Sequence, residues 1–268
     1  EDHGQHWQLM TRDLPLTSVY SIAIHPIDPD RVWVGSGSGQ LWRTSNGGIS
    51  WEVCGSSNFQ GADRWYRDII FAPMIDGQEP MLFAATNFGL FRTEDEGNSM
   101  IQVSGGEFME LVFHPEMDSI CYAIQLLGEG TIFKRSTDGG ITFSSGAVGW
   151  PNIASGEGQR RCEMAVSPSD PDVVVVLASG STDDGGGLFG IYKSEDAGQT
   201  FEFICCGDGP GGPWEAEINP NILGWSEDGT GDGGQYYYDL ALAVSPTDVD
   251  RQFAAGICVW RSENGGAD

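Results

Sequence analysis

The sequence predicts an all-β fold, a β-propeller of four-stranded blades. A short phrase recurs six times along the 268 residues, and successive copies lie about 43 to 68 residues apart, the range in which a repeat forms one propeller blade. The 39 glycines and the 11% aromatic content suit many short strands joined by tight turns, and no sustained 3.6-residue periodicity indicates helices. The repeat and the composition therefore point to the same fold class.

The repeated phrase, called the box below, is a hydroxyl residue, any residue, Asp or Asn, any residue and Gly, followed by Thr or Ser and an aromatic residue. Three copies are complete (44–51, 136–143 and 194–201), the copy at 93–100 is degraded, and the copies at 1–7 and 262–266 are partial. The central side chain can accept hydrogen bonds from backbone amides two residues further on, and the Gly tolerates a positive φ. We therefore predict structural turns rather than catalytic groups at Asp2, Asn46, Asp95, Asp138, Asp196 and Asn264.

Five of the six boxes follow three apolar segments in a fixed order. The first segment ends at a proline, the second follows an Asp-rich turn, and the third leads into the box, which opens a fourth strand at its aromatic residue. The predicted blades are residues 11–54, 64–104, 107–145, 160–204 and 236–268, with residues 1–10 as the outer strand of an incomplete blade. We expect residues 1–268 to form a single propeller fragment of a larger propeller; a closed five-bladed ring is the alternative.

Charge and hydropathy narrow the function classes. The net charge is −26 with only 13 basic residues, so phosphate backbones would be repelled and no nucleic-acid partner is expected. No apolar run approaches 18 residues, so no membrane insertion is expected. Such acidity suits extracellular or salty surroundings.

The six cysteines form no Cys-x-x-Cys pair, and no His lies at metal-ligand spacing, so a zinc site is not predicted. Six cysteines allow 15 disulfide connectivities, and buried free thiols in strands are the alternative. No cofactor is predicted. A Ca²⁺ ion is conceivable only where carboxylates converge.

The box resembles the Asp-box, or BNR, repeat of sialidases, xyloglucan-cleaving glycosidases, sortilin-type receptors and photosystem assembly factors. The stretch 233–246, together with 260–266, resembles the sortilin-like repeats of large secreted proteins of Bacteroidetes-type bacteria. This resemblance implies a secreted or cell-surface bacterial protein whose partners include other domains of the same larger chain. It is specific for fold and weak for function, because these families share the propeller and little else.

In a four-stranded blade the boxes and proline turns lie on one face, and the longer, irregular loops lie on the other. Function usually gathers on such loops, and exposed aromatic residues beside arginines suit binding of protein or carbohydrate at the cell surface. The alternative is that these side chains cap the propeller and fold the loops onto it. The candidate binding residues are Arg64, Trp65, Arg67, Trp150, Arg160, Arg161, Trp214, Trp225, Tyr236 and Tyr237.

A second candidate site lies on the innermost strands. Asp68, Glu110 and Glu163 each precede the strand-ending proline by five residues, and Asp239 lies two residues further up its own strand, on the same side. Side chains at this position would line a central channel, where close acids raise one another's pKa or hold a cation. A hydrated channel with polar walls is the alternative.

These observations favour a non-catalytic module that binds protein or glycan through its long-loop face. A glycoside hydrolase that uses the four channel carboxylates is the first alternative, since such enzymes need a carboxylate pair. Two observations count against this alternative. A sialidase needs three converging arginines, but Arg64, Arg67, Arg160 and Arg161 come from only two blade connections. The Asp expected of a xyloglucanase is replaced by the Gly-Ser run 35–39. The second alternative is a structural tile of a surface adhesin or filament.

Overall fold

The computed structural model describes residues 5–11, 14, 18–37, 39–55, 64–74, 79–128, 130–151, 158–181, 187–205, 221–231 and 233–266. Regular structure in these ranges consists of 19 strands in five antiparallel sheets. They contain no helix, and so none that could cross a bilayer. The predicted all-β fold is confirmed.

The chain divides into two compact units, Glu1–Gly105 and Gly106–Asp268. The first unit holds two four-stranded sheets in which sequential strands are hydrogen-bonded neighbours. Sheet 1 consists of β1 (Val19–Ile24), β2 (Val32–Ser36), β3 (Leu41–Thr44) and β4 (Glu52–Val53). Sheet 2 consists of β5 (Tyr66–Phe71), β6 (Leu82–Thr86), β7 (Gly89–Thr93) and β8 (Ile101–Gly105).

The second unit holds three sheets with the same up-and-down order. Sheet 3 consists of β9 (Glu107–Phe113), β10 (Cys121–Leu127), β11 (Gly130–Ser136) and β12 (Ser144–Ser145). Sheet 4 consists of β13 (Gly158–Ser167), β14 (Asp170–Ser181), β15 (Leu188–Ser194) and β16 (Glu202–Cys205). Sheet 5 has three strands in the described residues, β17 (Ala241–Ser245), β18 (Asp248–Ala255) and β19 (Val259–Ser262).

The box forms the turn between the third and fourth strands of sheets 1 to 4. At Asp138, Oδ1 accepts hydrogen bonds from the backbone N–H groups of Ile141 (3.1 Å) and Thr142 (2.9 Å). The bonds therefore reach three and four residues on, where two was expected. The leading hydroxyl has a part that the sequence did not suggest, because Ser136 Oγ accepts from the backbone N–H of Gly140 at 2.9 Å. Gly139 and Gly140 take the positive φ values of 71° and 81° that close the turn.

The other described boxes use the same bonds. The side-chain Oδ1 accepts from the backbone N–H four residues on, at 2.8 or 2.9 Å, in Asn46, Asp95 and Asp196. At the end of sheet 5, Ser262 Oγ donates to Asn264 Oδ1 at 2.7 Å. Asp2 lies outside the described residues. Because Asp and Asn both serve, the carbonyl-type Oδ1 acceptor is what the turn requires.

Neighbouring sheets within each unit pack through opposite faces of their strands. In sheet 4, Val174 and Val176 pack into a core shared with sheet 3, whereas Val173, Val175 and Leu177 pack into a core shared with sheet 5. This alternation follows the two-residue period of a strand buried on both sides. We call the face turned toward the preceding sheet proximal and the face turned toward the following sheet distal.

An arginine on the third strand ties one sheet to the box turn of the next. Arg43 Nη1 on β3 donates to the backbone carbonyl of Glu96 at 2.8 Å, and Arg135 Nε on β11 donates to the carbonyl of Ala197 at 2.7 Å. Glu96 and Ala197 both directly follow the central Asp of their boxes and take positive φ values of 61° and 55°. The box is thus both a turn and the acceptor for the preceding sheet.

Candidate functional site

The strongest candidate site is an aromatic and arginine patch in the first unit. It comprises Tyr20, Arg64, Trp65, Arg67 and Phe88. Tyr20 lies on β1 and Arg67 on β5, while Arg64 and Trp65 lie directly before β5 and Phe88 lies between β6 and β7. The loops are tied together because the backbone N–H of Trp65 donates to Asn87 Oδ1 at 2.8 Å and its carbonyl accepts from the Asn87 N–H at 3.3 Å.

The rings and guanidinium groups of this patch lie against one another. The Tyr20 and Trp65 rings are stacked, with centroids 6.5 Å apart and planes 26° from parallel. Arg67 Cζ lies 5.0 Å from the centre of the Trp65 ring, and Arg64 Cζ lies 5.7 Å from the Phe88 ring. Each contact is within the range of a favourable cation–π interaction. The patch is therefore pre-arranged on strand ends and short connections.

The aromatic side chains of the patch are more exposed to solvent than Arg64. Tyr20, Trp65 and Phe88 leave 49%, 41% and 51% of their surface open to solvent, whereas Arg64 is nearly buried. Burial lowers the pKa of Arg64 below its ordinary value, although an arginine stays protonated in proteins. Such a surface offers ring faces to the C–H groups of a sugar or to a peptide side chain, with positive charge beside them.

Three of the predicted binding residues, Arg64, Trp65 and Arg67, are thus brought together. Tyr20 and Phe88 were missed. In the sequence Tyr20 is one more apolar residue of a strand, and nothing there marks it as exposed. Phe88 sits in a tight Asn-Phe-Gly turn between the second and third strands, on the face that the sequence assigned to the loops.

Trp150 is half-buried and packs against the core between sheets 3 and 4. Its ring centre lies 5.5 Å from that of Phe133 and 5.2 Å from that of Phe201, and its Nε1–H donates to the carbonyl of Thr131 at 3.1 Å. A ring held on several sides and with its polar atom satisfied is not offered to a ligand. The structure places it in the role of a cap for the core between sheets 3 and 4.

The remaining binding candidates lie in the second unit. Trp225 is exposed, and Tyr236 and Tyr237 follow one another in a turn, with ring centres 5.0 Å apart at 76°. Arg160 is half-buried on β13. Trp214 lies outside the described residues.

Glu110 and Glu163 are brought together, and both are engaged by neighbours. Glu110 Oε2 accepts from the backbone N–H of Met164 at 2.6 Å, and Glu163 Oε1 accepts from Arg161 Nη2 at 2.7 Å. Burial raises the pKa of Glu163, and Arg161 opposes that rise. Glu110 lies close enough to lower the pKa of Glu163 as a hydrogen-bonding neighbour.

The other two predicted carboxylates, Asp68 and Asp239, are each half-buried. Asp68 is on β5 of the first unit, at a half-buried position paired with Ala85. Asp239 is half-buried in the second unit, between tyrosines and β17. Arg161 holds that segment, since it donates to the carbonyls of Tyr236 (3.1 Å) and Leu240 (3.5 Å). Over the described ranges, no group of three or more His, Cys, Asp or Glu side chains is arranged to hold a metal ion.

The described cysteines are mostly free thiols. Cys54, Cys121 and Cys162 are buried and free, Cys258 is half-buried and free, and Cys205 is disulfide-bonded. Burial raises the pKa of Cys54 and of Cys121 to about 12 and that of Cys162 still further. Cys206 lies outside the described residues.

The sequence matches no protein-family profile and no curated protein. Solved structures do resemble it. The GH74 xyloglucanase from Xanthomonas campestris is 18% identical with a TM-score of 0.62 over 92% of this chain, and the GH74 enzyme of Niastella koreensis is 14% identical with a TM-score of 0.59. The chain spans 36% of each enzyme's length.

YCF48 bound to a D1 peptide is also similar, at 17% identity and a TM-score of 0.52 over 97% of this chain and 70% of that one. These neighbours are β-propeller proteins. At such identities they show the fold alone. The successive four-stranded antiparallel sheets agree with that fold, and the predicted β-propeller is confirmed.

Proposed function

We propose that this chain is a non-catalytic propeller module of a secreted or cell-surface protein, and that it binds a protein or a glycan through the aromatic and arginine patch. The observation that supports this most directly is the half-exposed Tyr20–Trp65 stack with Arg67 against it. Large apolar surfaces left open to water mark interaction sites, and Trp, Tyr and Arg are the residues enriched at binding hot spots.

The patch suits binding because its geometry is fixed before a ligand arrives. Trp65 is anchored by two hydrogen bonds to Asn87, and Arg64 lies 4.9 Å from the Phe91 ring beneath it. A rigid aromatic platform loses little conformational entropy when it binds. The neighbour YCF48 was solved with a bound peptide, so a propeller of this general form can bind protein.

The absence of catalysis is part of the proposal and rests on Glu110 and Glu163. Burial holds Glu163 toward its protonated form with Glu110 as a neighbour, whereas a glycosidase needs two carboxyl groups about 5–9.5 Å apart with substrate or water between them. The pair is further occupied by Arg161 and by the backbone of Met164. Its arrangement joins β9 to β13 rather than leaving two carboxylates free for chemistry.

The test is a glycan array and a peptide-display library, both probed with the chain, followed by calorimetric titration of the best binder. Replacing Trp65→Ala should weaken that binder at least about tenfold, since truncating a hot-spot aromatic costs about 2 kcal/mol or more and about 1.4 kcal/mol is already tenfold. Trp7→Ala is the matched control, because Trp7 is also an exposed tryptophan of the first unit. No binder above background, or a binder indifferent to Trp65, would contradict the proposal.

The enzyme alternative has its own assay. The chain should release no reducing ends from xyloglucan and no sialic acid from sialyllactose. Release of either product that is abolished by Glu163→Gln would refute the non-catalytic assignment.

A further inference from the structure

A basic residue directly precedes the hydroxyl of the box in all five sheets. These residues lie on the third strands, and they are Arg43, Arg92, Arg135, Lys193 and Arg261. All but Arg261 are half-buried, and a charge that is partly withdrawn from water is costly unless an opposite charge lies beside it. The position therefore favours a carboxylate partner.

Four of the five residues have a glutamate as that partner. Three of them take it from two residues further along the chain, in the pairs Arg92–Glu94, Lys193–Glu195 and Arg261–Glu263. Arg43 Nε donates to Glu52 Oε1 on the neighbouring fourth strand at 2.8 Å, and Glu96 Oε2 lies 3.8 Å from its Nη1. Each of these four charges is thus balanced by a side chain of the protein itself.

Arg135 on β11 differs from the other four. The residue two positions further on is a threonine, and the residue paired with Arg135 on the fourth strand is Ser144, which takes the place of Glu52. In the box of the next sheet, Ala197 takes the place of Glu96. Within the described part of the chain, Arg135 forms no ion pair.

The positions that lack a carboxylate border a cavity of about 190 Å³ within the second unit. Arg135 reaches it from the distal face of sheet 3, and the other described residues that line it are uncharged. They come from the end of sheet 3 and from the box of sheet 4, and they include Ser144, Ser145, Ala147, Gly198 and Gln199. The cavity therefore lies beside a positive charge that the chain does not balance there.

The cavity also has hydrogen-bond donors. Arg135 Nε donates to the carbonyl of Ala197 at 2.7 Å, and a guanidinium group carries four further N–H groups on its two Nη atoms. The Ser145 hydroxyl accepts from Lys134 Nζ at 3.2 Å and keeps its own proton for donation. The carboxylate of Asp196 is no substitute partner, because it accepts hydrogen bonds within its own box turn.

We propose that this cavity binds the carboxylate of a small organic acid, and that Arg135 holds it. The ligand class follows from the repeat, because a carboxylate lies beside the equivalent basic residue in each of the other four sheets. The two Nη atoms match the two oxygens of a carboxylate. Pockets for drug-sized ligands span about 300–1,000 Å³, so a cavity of about 190 Å³ suits a smaller molecule. The site is independent of the aromatic and arginine patch.

Electrostatics sets the conditions for the test. The net charge of −26 disfavours anions at long range, and salt screens that effect within about 8 Å at physiological ionic strength. Two charge-assisted hydrogen bonds at a half-buried arginine correspond to a dissociation constant on the order of millimolar. Binding must therefore be measured at constant ionic strength, so that specific binding is separated from screening.

The experiment is an NMR titration of the full chain with sodium succinate, in which sodium chloride is adjusted to hold the ionic strength constant. The backbone amide signals of Ala147 and Gly198, which line the cavity, should shift and reach saturation. Ser144→Glu supplies the internal carboxylate that sheet 1 has, and it should abolish the saturable shift. Arg135→Gln should abolish it as well; if that variant does not fold, Ser144→Glu decides, because Ser144 is exposed and its replacement keeps the bond from Arg135 to Ala197.

Gln8→Glu is the matched control, because it adds the same charge at an exposed position of the first unit, and it should bind succinate like the wild type. The Nε–H signal of Arg43 is an internal reference that should not shift, since Glu52 already accepts from it. The absence of a saturable shift at about 100 mM succinate overturns the proposal. So does a Ser144→Glu variant that binds like the wild type, or a shift that phosphate produces and succinate does not.

Discussion

Replacing Asp138→Ala should destabilise the protein by about 2 kcal/mol. The carboxylate of Asp138 accepts four hydrogen bonds: from the backbone N–H groups of Ile141 and Thr142, and from the hydroxyls of Ser136 (2.7 Å) and Thr142 (2.5 Å). The turn is exposed, so water replaces part of what is lost, and about 0.5 kcal/mol remains for each bond. The total matches the upper range for losing a helix N-cap, which is a similar side-chain-to-backbone arrangement.

Asp138→Asn provides the decisive comparison, because the molecule already uses Asn in this role. Asn46 Oδ1 accepts from the N–H of Ser50 at 2.9 Å, and Asn46 Nδ2 donates to Ser50 Oγ at 2.8 Å. Asparagine at 138 should therefore keep the two backbone bonds and stay within about 0.5 kcal/mol of the wild type.

The assay is urea unfolding followed by circular dichroism. With a slope of about 2 kcal/mol per molar urea, Asp138→Ala should lower the midpoint by about 1 M and Asp138→Asn by less than about 0.3 M. The reasoning is refuted if the two variants are equally destabilised, since charge rather than the Oδ1 acceptor would then decide. It is equally refuted if alanine leaves the midpoint unchanged.

Three further predictions concern packing, pH and thiol reactivity. Gly198→Ala should cost at least about 2 kcal/mol more than Gly128→Ala in the same urea assay, because a Cβ at 198 would meet the Phe133 ring at 2.9 Å whereas one at 128 meets nothing within 4 Å, and both glycines have positive φ. Burial raises the pKa of Glu163 in the folded state above its unfolded-state value of about 4.3. The contribution of the protonated carboxyl to stability is therefore full below about pH 4.3 and is lost as pH rises through the raised folded-state pKa. The urea midpoint should fall over that pH window, and Glu163→Gln should remove the fall. Among the described free thiols, the half-buried Cys258 should react first with a disulfide reagent, as measured by peptide mass mapping. The buried thiols should react only on unfolding, and early labelling of any of them would contradict the assigned burial; they are Cys54, Cys121 and Cys162.

The fold was predictable because local and long-range signals coincide in each repeat. The prolines, the apolar strands and the boxes recur in the same order five times, so each strand is specified by its own residues and again by its counterparts. The sequence did not predict which backbone N–H groups donate to the central side chain of the box. Which amide reaches Asp138 depends on the φ values of Gly139 and Gly140, and the sequence indicates only that such values are allowed.

The candidate site was predictable in part. Trp65 and the two arginines beside it were found from residue type and from their place in a blade connection. Tyr20 comes from β1 and Phe88 from the turn between β6 and β7, and they meet Trp65 and Arg64, respectively, only in the folded unit. Trp150 had the same composition signal as Trp65 and proved to pack against a core. Exposure of a tryptophan depends on what packs over it, and that is a long-range property which spacing along the chain does not encode.

Both arginine contacts between sheets include a backbone oxygen of the next box, that of Glu96 or Ala197, and Arg43 adds a bond to the side chain of Asn98 at 3.0 Å. A carbonyl is present whatever residue occupies the position, so substitution there leaves the acceptor in place as long as the turn keeps its shape. A duplicated repeat whose sequence has since changed can therefore still accept the arginine hydrogen bond from the sheet before it. This tolerance lets a chain lengthen by duplication and diversify its loops without first having to rebuild the contacts that hold it together.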